Sequence, residues 1–284
     1  ITPAVRLAPS APAVALVQGP QDSRDGADTL FKRMCYWEYA GFFHLGMRQR
    51  DRRNAIIQHG TMALIRREAL DQVGGWGEWC ITEDAELGLR LFEAGWQARY
   101  MPESFGRGLM PDSLAAYKKQ RFRWAYGAIR IMRRHWRALL PFGRTRLTES
   151  QRYHFIAGWL HWIADALQLG FNVDAIGWSI GLVALPHLFE PALPLFLTAA
   201  LALFAFKVAK SLWLYLVRIR CGLGSSLGAA IAGLALSHTV ARAVFAGFLT
   251  ARVPFFLTPK CENSPAVVRA LAGAWEEMLL MAGL

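Results

Sequence analysis

The sequence predicts an α/β domain followed by interfacial and transmembrane helices, and three observations carry that prediction. Between residues 13 and 101, short apolar strand-like runs alternate with short amphipathic helical ones, the pattern of a layered α/β domain. Residues 153–258 carry long apolar runs and few charges, a composition that suits lipid better than water. The net charge of +11 is local, because residues 117–152 hold eleven Lys or Arg against one acid, Glu149. Basic residues clustered just before a membrane-length run fit the cytoplasmic side of an anionic leaflet, so membrane lipid is the expected partner and nucleic acid is not.

Taken in order, residues 13–18 form a short buried strand stopped by Gly19-Pro20. The next loop holds Asp22 and Asp25 among turn formers, which reads as a solvated turn with a helix cap rather than a metal site. Residues 30–47, rich in Phe, Tyr and Trp, read as a helix against the core. Residues 55–65 read as two strand-like runs broken by His59-Gly60-Thr61, where a glycine marks close approach of a ligand or another backbone. His59 either lines an acceptor site or is an ordinary hydrogen-bonded histidine. Residues 66–73 form a helix ended by Gly74-Gly75, and residues 97–101 another strand.

Between these, Thr82 is placed to cap a helix whose first turn carries Glu83 and Asp84, where negative charge is favoured. Local sequence leaves two readings of these acids equally open, helix-capping charge or an acid–base centre.

Residues 112–139 read as a long helix on which Tyr117, Arg121, Trp124 and Ala128 share a stripe. Such a helix lies on a membrane surface or binds phosphate, and the two uses are compatible. Residues 112–152 as a whole are expected to be basic and interfacial. A first span is expected near 155–185, with His161 and Asp165 one turn apart as a conduit-facing polar site or a structural hydrogen bond. A second is expected near 195–217, with Lys207 and Lys210 turned inward or snorkelling. Residues 227–250 are apolar enough to span, but the basic residues around and after them place them in the interface. A loop at 252–264 and a further helix over 265–284 complete the membrane region. The four cysteines show no C-x-x-C spacing and imply neither a disulfide framework nor a zinc site.

Thr82-Glu83-Asp84, then Gln120-x-x-Arg123-Trp124, then Phe255-Phe256-Leu257-Thr258-Pro259-Lys260 occur in an order that resembles the processive, membrane-embedded family 2 glycosyltransferases typified by bacterial cellulose synthase. Gln58-His59-Gly60-Thr61 and the residues around Gln120 look most like the bacterial synthases of β-1,3-linked or cyclic β-1,3/1,6-glucans. The resemblance implies that residues 1–111 are the C-terminal part of a GT-A, Rossmann-like glycosyltransferase domain. It implies a multi-pass protein of the bacterial inner membrane, with a cytoplasmic catalytic domain that transfers glucose, with inversion, from UDP-glucose to a growing β-glucan and exports the product.

By the same resemblance Asp84 is the general base, Gln120 and Arg123 hold the donor diphosphate, and Trp124, with His59 and Glu83, binds the acceptor. Thr258 and Lys260 belong to a gating loop. A carboxylate suits the base because it need only accept the hydroxyl proton in the transition state, and Arg suits phosphate because its fork binds two oxygens at once. The family's divalent metal, Mg or Mn, sits on a D-x-D motif that belongs upstream of residues 13–18, and no such motif occurs here. The chain is therefore expected to be cut from a longer parent and inactive alone; transfer from UDP-glucose by the isolated chain would refute this. The competing expectation is a non-catalytic membrane-anchored protein whose basic helix binds lipid. A transporter would explain the spans but not the α/β domain.

Overall fold

The computed structural model describes residues 11–190, 194–250 and 274–283. Its sheet is built on β1 (Val14–Gln18), flanked by β3 (Ala63–Ile65) and β4 (Gln97–Tyr100). All five β1 residues are buried, because the strand is central and covered on both faces, which explains a continuous apolar run in place of alternation. β3 pairs antiparallel with Leu16 opposite Ile65, and β4 pairs parallel with Gln18 opposite Tyr100. A second, two-residue parallel pair joins β2 (Asp22–Ser23) to β5 (Arg107–Gly108).

Several expectations change here. Of the two strand-like runs at 55–65 only β3 is a strand. Residues 55–59 instead lead into a loop held by a side chain: Gln18 Nε2 donates to the Thr61 carbonyl at 2.6 Å, and its Oε1 accepts from the His59 N–H at 3.3 Å. The turn holding Asp25 is not solvated. Asp25 is 5% exposed, accepts from the Met110 N–H at 2.9 Å and pairs with Lys32 at 2.8 Å. The helix cap there belongs to Thr29, whose side chain accepts from the Lys32 N–H. The aromatic helix is α1 (Leu30–Ala40), a π-helical segment Gly41–Gly46 and α2 (Met47–Asp51).

The remaining helices are α3 (Arg67–Gln72), α4 (Glu83–Glu93), α5 (Leu114–Leu139), α6 (Glu149–Ala184), α7 (Pro194–Trp213) with a π-helical end Leu214–Ile219, α8 (Leu223–Leu234), α9 (Ser237–Leu249) and α10 (Trp275–Gly283). A capping box at Thr148 and Gln151 starts α6. Cys35, Cys80 and Cys221 are free thiols.

α5 is not a helix lying on a surface by its aromatic stripe. Tyr117, Arg121 and Ala128 are buried inside the protein: Tyr117 and Arg121 pack on Phe31, Glu38 and Tyr39 of α1, and α6 and α9 also pack along α5. Much of its basicity is also used internally. Arg133 donates to the carbonyls of Gly247 and Phe248, and Arg130 to that of Thr250, at the C-terminal end of α9, where cations oppose the helix dipole. The expected interfacial helix at 227–250 is two helices, α8 and α9, set against α1, α5 and α6.

Among the described residues two stretches are long and apolar enough to cross a membrane by length and composition, Glu149–Ala184 and Leu223–Leu249. The most apolar window of the first is only 11% buried and that of the second 50%, so the first presents its sides outward while the second packs on the protein. His161, Asp165 and Asp174 do not break α6. Asp165 pairs with Lys207 of α7, not with His161, and Lys207 also donates to Ser237 Oγ at 2.9 Å. That inward pairing satisfies a lysine and an aspartate that would otherwise be costly among apolar helices.

Candidate active site

The N-terminus of α4 is pressed onto α5 at Gly127. A Cβ at Gly127 would lie 2.0 Å from Thr82 Oγ1, so only glycine allows this approach. Thr82 is thereby committed to packing, with its hydroxyl 3.4 Å from Cys80 Sγ, and its side chain does not cap α4 as expected. The result is that Thr82-Glu83-Asp84 is set against the helix carrying Gln120, Arg123 and Trp124.

Asp84 is held from two sides. Its Oδ1 accepts from the Ala85 N–H at 2.8 Å. A Cβ on Gly60 would lie 2.9 Å from Oδ2, and Gly60 has φ +72°, so the loop pinned by Gln18 needs a glycine here on both counts. Burial raises the Asp84 carboxyl to about 6; the neighbouring Glu83 charge adds to this, while the backbone N–H of Ala85 and the Arg123 charge oppose it. A carboxylate poised near neutrality is suited to accepting a proton.

Asp84 lines a cavity of about 370 Å³ whose wall also carries Gln58, His59 and Trp124. A second cavity of about 340 Å³ is lined by Gln120 and Arg123, and the two share Phe43. A third of about 680 Å³ lies among α6, α7 and α8 and shares Glu38, Arg121, His161, Trp162 and Tyr215 with the first. The polar groups expected on donor and acceptor sides thus line adjoining spaces.

The expected site residues are placed unequally. Gln120 Oε1 accepts the Tyr39 hydroxyl proton, which orients the amide. Trp124 is fixed by the Arg121 guanidinium 4.8 Å from its ring centre and by the Tyr39 ring at 5.9 Å. His59 presents its ring to the cavity, but both nitrogens face main-chain carbonyls, Nδ1 that of Ile57 at 3.0 Å and Nε2 that of Gly19 at 3.2 Å. Burial lowers it to about 4, so it is neutral at physiological pH. Glu83 is exposed and does not line the Asp84 cavity, since neighbouring helix positions point about 100° apart. Thr258 and Lys260 lie outside the described residues. Among the described residues no group of three or more His, Cys, Asp or Glu side chains is arranged to hold a metal ion.

Residues 3–216 match the sequence profile described as Glycosyl transferase family group 2. The chain belongs to this glycosyltransferase family. Its relatives include the cellulose synthase 1 catalytic subunit [UDP-forming] of Komagataeibacter xylinus, 32% identical over 140 residues, covering 46% of this chain and 19% of the relative. The cellulose synthase catalytic subunit [UDP-forming] of Xanthomonas axonopodis pv. citri is 36% identical over 120 residues, covering 42% of this chain and 16% of that one. The chain therefore spans less than a fifth of the length of these relatives. A solved mannosyltransferase from Pyrobaculum calidifontis, in complex with GDP-Man and Mn2+, is similar with a TM-score of 0.46 and 17% identity, covering 84% of this chain and 55% of that one. The expected fold class holds, as a mixed α/β glycosyltransferase domain followed by helices.

Four residues around the site carried no expected role: Gln18, Glu38, Gln58 and Arg121. Arg121 sits inside the glycosyltransferase motif Gln120 to Trp124, so proximity in sequence was a usable signal. It is 7% exposed, and its guanidinium pairs with Glu38 at 2.6 Å behind Trp124. Gln18 reads as the end of an apolar strand, and Gln58 enters only as part of the Gln58 to Thr61 signature, with no role of its own.

Proposed function

We propose that this glycosyltransferase is an inverting hexosyltransferase that moves glucose from UDP-glucose to a growing β-glucan. The observation that supports this best is Asp84, with its carboxyl raised to about 6, lining one cavity together with Trp124, next to the pocket lined by Gln120 and Arg123. Asp84 takes the proton of an acceptor hydroxyl. The freed oxygen pair then forms a bond to the donor's anomeric carbon, the bond from that carbon to the diphosphate oxygen breaks, and the nucleoside diphosphate leaves with both electrons. Attack opposite the leaving group inverts the anomeric centre.

Gln120 and Arg123 hold the diphosphate, Arg123 offsetting the charge that builds on it. Trp124 presents an apolar face to the acceptor ring, and the ring face of His59 adds to that wall. A divalent metal held by carboxylates other than those described would add charge to the diphosphate side.

The wall shared between the Asp84 cavity and the one among α6, α7 and α8 favours passage of the lengthening glucan towards the membrane helices. His161, Lys210 and the Asp165–Lys207 pair give that space the polar lining a hydroxylated chain needs. Export across a bacterial inner membrane from a cytoplasmic catalytic domain is part of this reading. The Gln58 to Thr61 signature favours a β-1,3-linked or cyclic product.

The test is transfer of labelled glucose by the native full-length protein in inverted membrane vesicles. Incorporation from UDP-glucose, linkage analysis of the polymer and its sequestration inside the vesicles are expected together. Incorporation only from another nucleotide sugar would overturn the donor. Polymer left wholly outside the vesicles would overturn export.

A further inference from the structure

Gln58 is the residue whose burial is hardest to explain by the fold. It is 1% exposed, lies on the wall of the Asp84 cavity, and neither its amide nitrogen nor its amide oxygen has a hydrogen-bond partner, Asp84 included. Buried amides are almost always paired, because desolvating both ends without a partner is costly. The neighbouring Gln18 shows how this fold treats a structural glutamine: it is 0% exposed, its nitrogen donates to the Gly19, Thr61 and Met62 carbonyls, and its oxygen accepts from His59.

The placement of Gln58 is built. Gly88 is four residues after Asp84 on α4, so the two share a face about one turn, or ~5.4 Å, apart. A Cβ on Gly88 would meet Gln58 Cβ at 3.1 Å, while a Cβ on Gly60 would meet Asp84. The segment from Gln58 to Gly60 therefore runs along α4 with Gln58 over Gly88 and Gly60 over Asp84. The absence of a side chain at Gly88 is what lets Gln58 settle there.

We propose that Gln58 is an acceptor-binding residue that sets which sugar hydroxyl meets Asp84. This rests on the reading of the cavity as a glycosyl acceptor site. An amide offers one donating and one accepting end in fixed relation, and two neighbouring hydroxyls of a pyranose, each able to donate and accept, satisfy both ends at once. With the ring on Trp124 and two hydroxyls on Gln58, one hydroxyl is left one helical turn away at the carboxylate. The neutral amide also leaves the proton-accepting role to Asp84 alone, which a second carboxylate would not.

The experiment uses the native full-length protein with Gln58→Met, which keeps length and volume but has no polar end, and Gln58→Glu, which loses the donor. Rates are measured against UDP-glucose and against a short β-glucan oligosaccharide, and thermal midpoints are measured in detergent without substrate. For Gln58→Met the acceptor KM is expected to rise at least about tenfold, with the donor KM little changed and the midpoint equal to or above that of the wild type. For Gln58→Glu the acid limb of the rate profile is expected to move to higher pH, because a second carboxylate beside Asp84 favours its protonated form.

An unchanged acceptor KM with a lowered midpoint in Gln58→Met would show that the amide serves the fold, through a buried water, and would overturn the proposal. An unmoved acid limb in Gln58→Glu would overturn it too, even if Gln58→Met fails to fold. If the wild-type protein transfers no sugar, it is the glycosyl-transfer reading that fails, and it fails independently of Gln58.

Discussion

Replacing Asp84 by Asn tests the proposed chemistry and the electrostatics of the site together. Burial raises the Asp84 carboxyl from 3.8 to about 6, roughly two pH units, and each unit corresponds to about 1.4 kcal/mol. Because the folded-state value lies above the unfolded one, the stabilising contribution is complete below about pH 4 and is lost as pH rises through about 6. At pH 7.5 the ionised carboxylate therefore costs the fold up to about 3 kcal/mol. Asn keeps an oxygen for the Ala85 N–H and removes the charge.

Asp84→Asn is accordingly expected to reduce transfer by roughly 10²- to 10⁴-fold, the usual contribution of a general base. It should also raise the thermal midpoint at pH 7.5, with the difference closing as pH falls towards 4. The assays are labelled-glucose incorporation and thermal unfolding in detergent across that pH range. In the wild type, the rate should fall as pH drops through about 6. Transfer within a few-fold of wild type, or a midpoint below wild type at every pH, would refute the assignment.

Three further outcomes follow from the packing. Gly127→Ala is expected to abolish most transfer at a stability cost of about 1–3 kcal/mol, because its Cβ would lie 2.0 Å from Thr82 Oγ1; Thr82→Gly in the same chain should restore part of both, read by activity and midpoint. Glu38→Ala leaves Arg121 buried without its carboxylate and is expected to destabilise by roughly 3–5 kcal/mol, seen as a large drop in midpoint. Burial opposes the charged form of His135, but Glu86 and Glu93 outweigh it and hold the imidazole at about 9. That stabilisation is complete below pH 6.5 and is lost as pH rises through about 9, so the midpoint of wild type should fall towards that of His135→Gln between pH 7 and 10.

The order of motifs along the chain was sufficient to recognise a glycosyltransferase, and it is the same motifs that nominate Asp84, Gln120, Arg123 and Trp124 as site residues. Side-chain chemistry at fixed spacing is a local property, and so were the buried strand β1 and the apolar runs that became α6 and α7. Other readings went astray where a partner distant in sequence decided the matter. Nothing around Tyr117 and Arg121 signals that Phe31, Glu38 and Tyr39 of α1 cover them, so a basic aromatic stripe read as membrane-facing is in fact interior.

Residues 55–59 read as a strand, whereas in the fold the side chain of Gln18, some forty positions away, takes the His59 N–H and the Thr61 and Met62 carbonyls and holds the segment as a loop. Asp165 reads as a partner of His161 and Asp25 as part of a solvated turn, because Lys207 and Met110 reach them only in the folded chain. The residue types fixed what chemistry was possible at the N-terminus of α4. Which carboxylate faces the cavity, which glutamine holds the loop and which is left free for a ligand depend on distances that arise only when α4, α5 and the loop at Gly60 pack together.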